Sequence, residues 1–192
     1  MAPSGPYAHA AYSTATADTG RGVVSVLLGS QKRKFSVSIH GDAHVWASGG
    51  TSDLASVAQV IALWRTGAPL RQLAEKCPFM EYDAMAQAHE DGDPVETQWE
   101  KVLRSDAFPD LNEILRRGHA HPEVRRLFPY VTHGALRFSA DYRDVTAVRI
   151  LVDPTTEGYR VETTVEGDAG EDFSSVQGVV DKLAELAARL TP

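Results

Sequence analysis

Val23-Val-Ser-Val-Leu-Leu28, Lys34-Phe-Ser-Val-Ser-Ile39 and His44-Val-Trp-Ala47 decide the fold class of this chain. In the second run polar and apolar residues alternate, so Phe35, Val37 and Ile39 share one face of a strand. Gly29 to Lys32 and the Gly41-Asp42 pair have turn chemistry. The three runs therefore predict an antiparallel meander.

After this meander the hydrophobic period changes to that of a helix. Leu54, Val57, Ala58, Ile61 and Trp64 or Arg65 form one stripe. Thr51, Ser52 and Asp53 are N-cap candidates, and Gly67 is a stop. Short helices follow after Pro69, over about Glu81 to Glu90, from Asp93, over about Asp110 to Arg117, and over about Glu123 to Phe128. Asp93-Pro-Val-Glu96 reads as a capping box with proline at the first helical position. Its helix would bury Val95, Trp99, Val102 and Leu103.

Strand patterns return at His133 to Ala140, Ala147 to Val152 and Gly158 to Val165. Ser174-Ser-Val-Gln177 then opens a long helix with Val176, Val179, Val180, Leu183, Ala187 and Leu190 on one face. The expected architecture is α+β: two antiparallel three-stranded meanders separated by a run of short helices, with a long C-terminal helix. Met1 to Arg21, rich in small and polar residues, is expected to be a flexible arm, and residues 22–192 a single domain.

The chain has 192 residues and a formal charge of -7, which disfavours a wrapped nucleic-acid partner. No apolar run approaches the roughly 20 residues of a membrane helix. The first residues lack a signal-peptide pattern, so a cytoplasmic protein is expected. Cys77 is the single cysteine, which excludes an internal disulfide and a thiolate metal cluster. Among apolar neighbours it reads as a core residue. There is no GxGxxG, Walker, HExxH or nucleophile-elbow pattern, so no cofactor and no metal are expected.

The remaining chemistry lies in histidine-rich segments. Arg116-Arg-Gly-His-Ala-His-Pro-Glu-Val-Arg-Arg126 offers His119 and His121, together with arginines able to clamp an anion. The same residues also suit a polar connector whose arginines pair with nearby acids. In Tyr82-Asp-Ala-Met-Ala-Gln-Ala-His-Glu-Asp91, helical spacing puts Tyr82 and His89 on one face, either as an acid–base pair or as core. Glu90 and Asp91 read as solvated helix-end groups. In Phe128-Pro-Tyr-Val-Thr-His-Gly134, Tyr130 and His133 either line a pocket or pack a corner. His40, Asp42 and His44 read as an ordinary turn. Of the tryptophans, Trp46 is the one expected to face a ligand, while Trp64 and Trp99 are expected in the core.

Val45-Trp-Ala-Ser-Gly-Gly-Thr-Ser-Asp-Leu-Ala-Ser-Val-Ala58, Trp64-Arg-Thr-Gly67, Ala88-His-Glu90, Gln98-Trp99 and the stretch His119 to Gly134 carry a further signal. Together they resemble an actinobacterial family of unknown function whose members are labelled natural product biosynthesis proteins. The resemblance spans roughly Val23 to Val165. It implies a setting in specialised metabolism, such as the making of a modified peptide, and it carries over no catalytic role.

Two functions follow as expectations. The first is a cofactor-independent tailoring enzyme performing a cyclisation, addition or elimination. Its acid–base residues would be His89, His121, His133, Tyr130 and Tyr82, with Arg125, Arg126, His119 and Trp46 binding substrate. The second is a non-catalytic module that presents a peptide, carrier protein or intermediate to partner enzymes, or a self-protection protein. The expected partners are a natural-product intermediate or precursor peptide and other biosynthetic enzymes, with no nucleic acid and no membrane.

Overall fold

A computed structural model describes residues 13–29, 32–41 and 44–190. Tyr7, Tyr12 and Asp42 lie outside the described residues. The chain divides into two compact units, residues 1–90 and 91–192, where the sequence patterns suggest one domain.

The amino-terminal unit holds a five-stranded antiparallel sheet in the order β1-β2-β3-β4-β5. Its strands are β1 (Ser13–Thr19), β2 (Gly22–Leu28), β3 (Phe35–His40), β4 (Val45–Thr51) and β5 (Met80–Glu81). Phe35, Val37 and Ile39 are buried, as their alternation requires. The helices are α1 (Leu54–Arg65), α2 (Leu70–Lys76) and α3 (Ala84–Asp91). Asp53 caps α1 by accepting the Ala55 and Ser56 amides. The buried stripe of α1 is Val57, Val60 and Trp64, rotated from the expected one, and Leu54 is exposed. Leu70, Leu73, Cys77 and Met80 complete this core. Burial pushes the Cys77 thiol above its ordinary value.

The carboxy-terminal unit begins with α4 (Pro94–Leu103), a 3-10 turn over Pro109–Leu111, α5 (Asn112–Ala120) and α6 (Pro122–Arg125). Its sheet runs β10-β9-β8-β7-β6. The strands are β6 (Phe128–Thr132), β7 (Ala135–Ser139), β8 (Arg149–Thr155), β9 (Gly158–Thr163) and β10 (Glu171–Phe173), followed by α7 (Val176–Leu190). The buried stripe of α7 is Val179, Val180, Leu183 and Ala187, as predicted from its period. Trp99 sits at the centre of this core with Phe138, Ile150 and Leu183. Its indole N–H donates to the Arg125 and Leu127 carbonyls, each at 2.9 Å. The Gln98 amide donates to the Pro129 carbonyl at 2.8 Å and ties α4 to β6.

The α+β class holds, but each sheet has five strands and not three. The added strands β1, β5, β6 and β10 are the edges of the two sheets. The arm expected to reach Arg21 contains β1, whose Ser-Thr-Ala-Thr-Ala-Asp-Thr sequence marks its inward face only with the small Ala15 and Ala17. The expected capping box at Asp93 does not form, and the Asp93 side chain makes no cap hydrogen bond. The Glu96 carboxylate is drawn instead to Arg125 and His119. Among the described residues no helix is long and apolar enough to cross a membrane.

Candidate functional site

In the amino-terminal unit the alternation of β4 puts Trp46 two residues after His44, on the same side of the chain. The last turn of α3 brings His89 onto His44. The two imidazoles are stacked, with centroids 3.7 Å apart and planes 6° from parallel. Trp46 meets His44 edge-on at 4.1 Å and His89 at 6.2 Å. Behind it stands Trp64 of α1, 5.7 Å from Trp46.

Arg21 closes the cluster. Its guanidinium lies over the Trp64 ring at 4.0 Å and the Trp46 ring at 5.3 Å. It also pairs with Glu90 at 2.7 Å and donates to the Ala68 carbonyl at 3.0 Å. The Glu90 carboxylate in turn accepts the Leu70 amide at the start of α2, at 3.0 and 3.2 Å. Glu90 is thus a half-buried tie between α2, α3 and the β1–β2 turn, and not the solvated helix-end group expected. The Trp46 and Trp64 indole N–H groups are buried and find no acceptor among the described residues. Native folds rarely leave such donors over, so each needs a reason.

Trp46 also lines a groove of about 330 Å³ with Val45, Ala47, Ser48, Glu81, Tyr82 and Asp83. Three predicted residues, Trp46, Tyr82 and His89, are therefore gathered around one strand. His44, Arg21, Trp64 and Glu90 were missed as site residues. The i, i+2 spacing of His44 and Trp46 was a usable signal for the first. The other three carry no local signal, because their partners are distant in the chain.

The carboxy-terminal candidates do different things. His119 Nε2 lies 3.3 Å from Glu96, and its ring packs on Trp99 at 5.3 Å. Arg125 grips the other Glu96 oxygen through Nε at 3.1 Å and a terminal nitrogen at 3.0 Å. Burial works to raise the Glu96 carboxyl, but the Arg125 and His119 contacts outweigh it and hold the group below its ordinary value. His121 caps α6, its Nδ1 accepting the Glu123 amide. Arg126 pairs with Glu123 at 2.9 Å, and Arg116 and Arg117 both pair with Glu113. The arginines thus meet acids of this same unit, as the connector reading anticipates.

His133 occupies an exposed turn at a positive φ of 53° and contacts Thr132 at 2.9 Å. Tyr130 is half-buried on β6, opposite Arg137. A separate cleft of about 530 Å³ lies between β9, the 165–170 loop and α7. Its floor is Val148, Val161, Leu186 and Leu190, and its rim carries Asp168, Glu171, Lys182 and Arg189. Among the described residues no group of three His, Cys, Asp or Glu is arranged to hold a metal ion.

No curated protein and no solved structure matches the chain. A family model described as a family of unknown function, DUF6193, matches residues 93–190. It takes in the segment His119 to Gly134 and begins after the histidine–tryptophan cluster. With about half its length matched by that model, the chain belongs to the DUF6193 family.

Proposed function

We propose that the chain is a cofactor-independent tailoring enzyme of natural-product assembly, acting in the cytoplasm by acid–base chemistry in its amino-terminal unit. The reaction is a cyclisation, addition or elimination. A base takes a proton from one substrate atom and an acid returns one to another, so no oxidant or reductant is needed. His89 is the proton carrier, and Tyr82 is the second acid. Trp46 forms the wall between the imidazoles and the groove.

One observation carries this reading: the His44–His89 stack stands at 3.7 Å beside a tryptophan that also lines an open groove. The two unspent indole donors beside it are the kind of cost that functional sites retain. The setting in specialised metabolism rests on the resemblance of the quoted segments. His121 caps α6 and His133 stands in an exposed turn, so the proposed step is assigned to neither.

The test is comparative mass spectrometry of a producing strain with and without the gene, complemented by the parent or by His89→Asn. An isomer of the product accumulating in the deletion supports a cyclase or isomerase. A change in mass names the group added or lost. The same product at lower titre, restored equally by His89→Asn, overturns the enzyme reading in favour of a binding module.

A further inference from the structure

The amino-terminal sheet ends on β5, which has two residues, beside β4, which has seven. The β4–β5 register contains only Ser48 with Glu81 and Gly49 with Met80. On that side nothing of β5 opposes Val45, Trp46 and Ala47. After Glu81 the chain turns away, because Asp83 accepts the Ala86 amide at 2.8 Å and starts α3. β4 and residues 82–83 diverge, and the groove of about 330 Å³ is the space between them.

An unopposed strand edge offers amide and carbonyl groups to any chain that arrives extended. Natural edges are usually blunted with proline, an inward charge or a bulge. Val45-Trp-Ala-Ser48 has no proline and no charge, its register with β3 shifts at Trp46, and exposure falls from 47% at Val45 to 1% at Ala47. The far wall of the groove is acidic. Glu81 and Asp83 are exposed, and neither has a cationic partner among the described residues.

We infer that the Val45–Trp46 edge of β4 takes up an extended peptide as an added strand, with a lysine or arginine side chain meeting Glu81 and Asp83. This deepens the acid–base reading by naming its substrate class as a peptide. The two unopposed and accessible residues span about 7 Å, room for a paired stretch of two or three peptide residues. A peptide on this edge lies one side chain, Trp46, from the two imidazoles.

The experiment is a titration of the full chain, labelled with nitrogen-15, with an acetylated, amidated pentapeptide of alternating valine and threonine around a central arginine. The expected amide shifts centre on Val45–Ser48 and Glu81–Asp83. Methylating every second peptide nitrogen, in one of the two phases, removes the pairing donors and weakens binding at least about tenfold. The double variant Glu81→Gln with Asp83→Asn, which keeps the α3 cap, weakens the arginine peptide about three- to tenfold. It leaves a neutral peptide unchanged. Equal binding by both methylated phases, shifts centred elsewhere, or equal binding of a glutamate-for-arginine peptide overturns the inference. The peptide binding as expected while His89→Asn makes product normally removes the acid–base reading alone. No peptide binding, with product lost in His89→Asn, removes the docking edge alone.

Discussion

The imidazole planes of His44 and His89 lie 6° from parallel at a centroid distance of 3.7 Å, although one residue lies in the bend before β4 and the other in α3, far apart in the chain. If this pair moves protons, its loss reads out in turnover before stability. His89→Asn keeps a polar side chain that cannot carry the proton, and product formation is expected to fall about 10²- to 10⁴-fold. The urea midpoint should stay near that of the parent. A folded variant with full turnover removes His89 from the mechanism.

Arg21 and Glu90 are the second test. Their side chains are 30% and 17% exposed, and the pair also holds the Leu70 amide and stacks on two indoles. Removing one partner leaves the other partly buried and unmatched. Arg21→Met and Glu90→Gln should each destabilise the amino-terminal unit by about 1–3 kcal/mol. A double-mutant cycle in urea should return a coupling of about 1–2 kcal/mol. Strict additivity would mean the pair contributes nothing.

Trp99 is the corresponding anchor of the carboxy-terminal unit. Its ring is fully buried, and its N–H bridges two carbonyls at and just beyond the end of α6. Trp99→Phe keeps most of the apolar contact but orphans those carbonyls, at a cost of about 1–3 kcal/mol. Trp99→Ala adds a cavity and should cost about 3–5 kcal/mol. Chemical denaturation followed by far-ultraviolet dichroism checks the order of the two.

Asp168 gives a pH dependence with a definite sign. Its carboxylate accepts from the Thr163 hydroxyl at 2.6 Å, the Gly170 amide at 3.0 Å and the Thr163 amide at 2.8 Å. The Thr163 hydroxyl is the leading cause holding this carboxyl below its ordinary value of 3.8. A group depressed on folding stabilises above its unfolded value, and that contribution is lost as pH falls through the folded one. Asp168→Ala should therefore lower Tm at pH 7. The gap to the parent should close below about pH 4, the ordinary aspartate range. A gap independent of pH would point to lost packing instead.

Gly49 tests the join between β4 and its short neighbour. A Cβ built there would stand 2.0 Å from the Phe79 carbonyl oxygen and 3.0 Å from the Met80 Cα. Gly49→Ala must push β5 off β4, at a cost of about 1–3 kcal/mol. Hydrogen exchange at Met80 and Glu81 should accelerate while β2 and β3 keep their protection.

The central strands and the long terminal helix were legible because burial is written into them at a fixed period. Phe35, Val37 and Ile39 announce an inward face, and Val179, Leu183 and Ala187 announce a helical stripe. The outer strands were not. β1 is made of small polar residues, β6 carries Pro129 and β10 is three residues with two acids. An edge strand draws its order from the neighbour it pairs with, so its own sequence need not alternate. Of the candidate site, Trp46, Tyr82 and His89 were legible singly, from residue type and local spacing, but their association was not.

Local sequence was sufficient for the α+β class, most central elements and the N-cap of α1, since each depends on residues a few positions apart. Tertiary structure decided the rest. Arg21 meets Glu90 across 69 positions, and Glu96 abandons its own helix start for Arg125, 29 positions away. It also stacked His44 on His89 and ended the β4–β5 pairing at Ser48. Periodicity records which side of an element is buried, but it holds no record of what lies against that side. That is settled only when the elements pack and each charge or ring finds the partner the fold brings within reach.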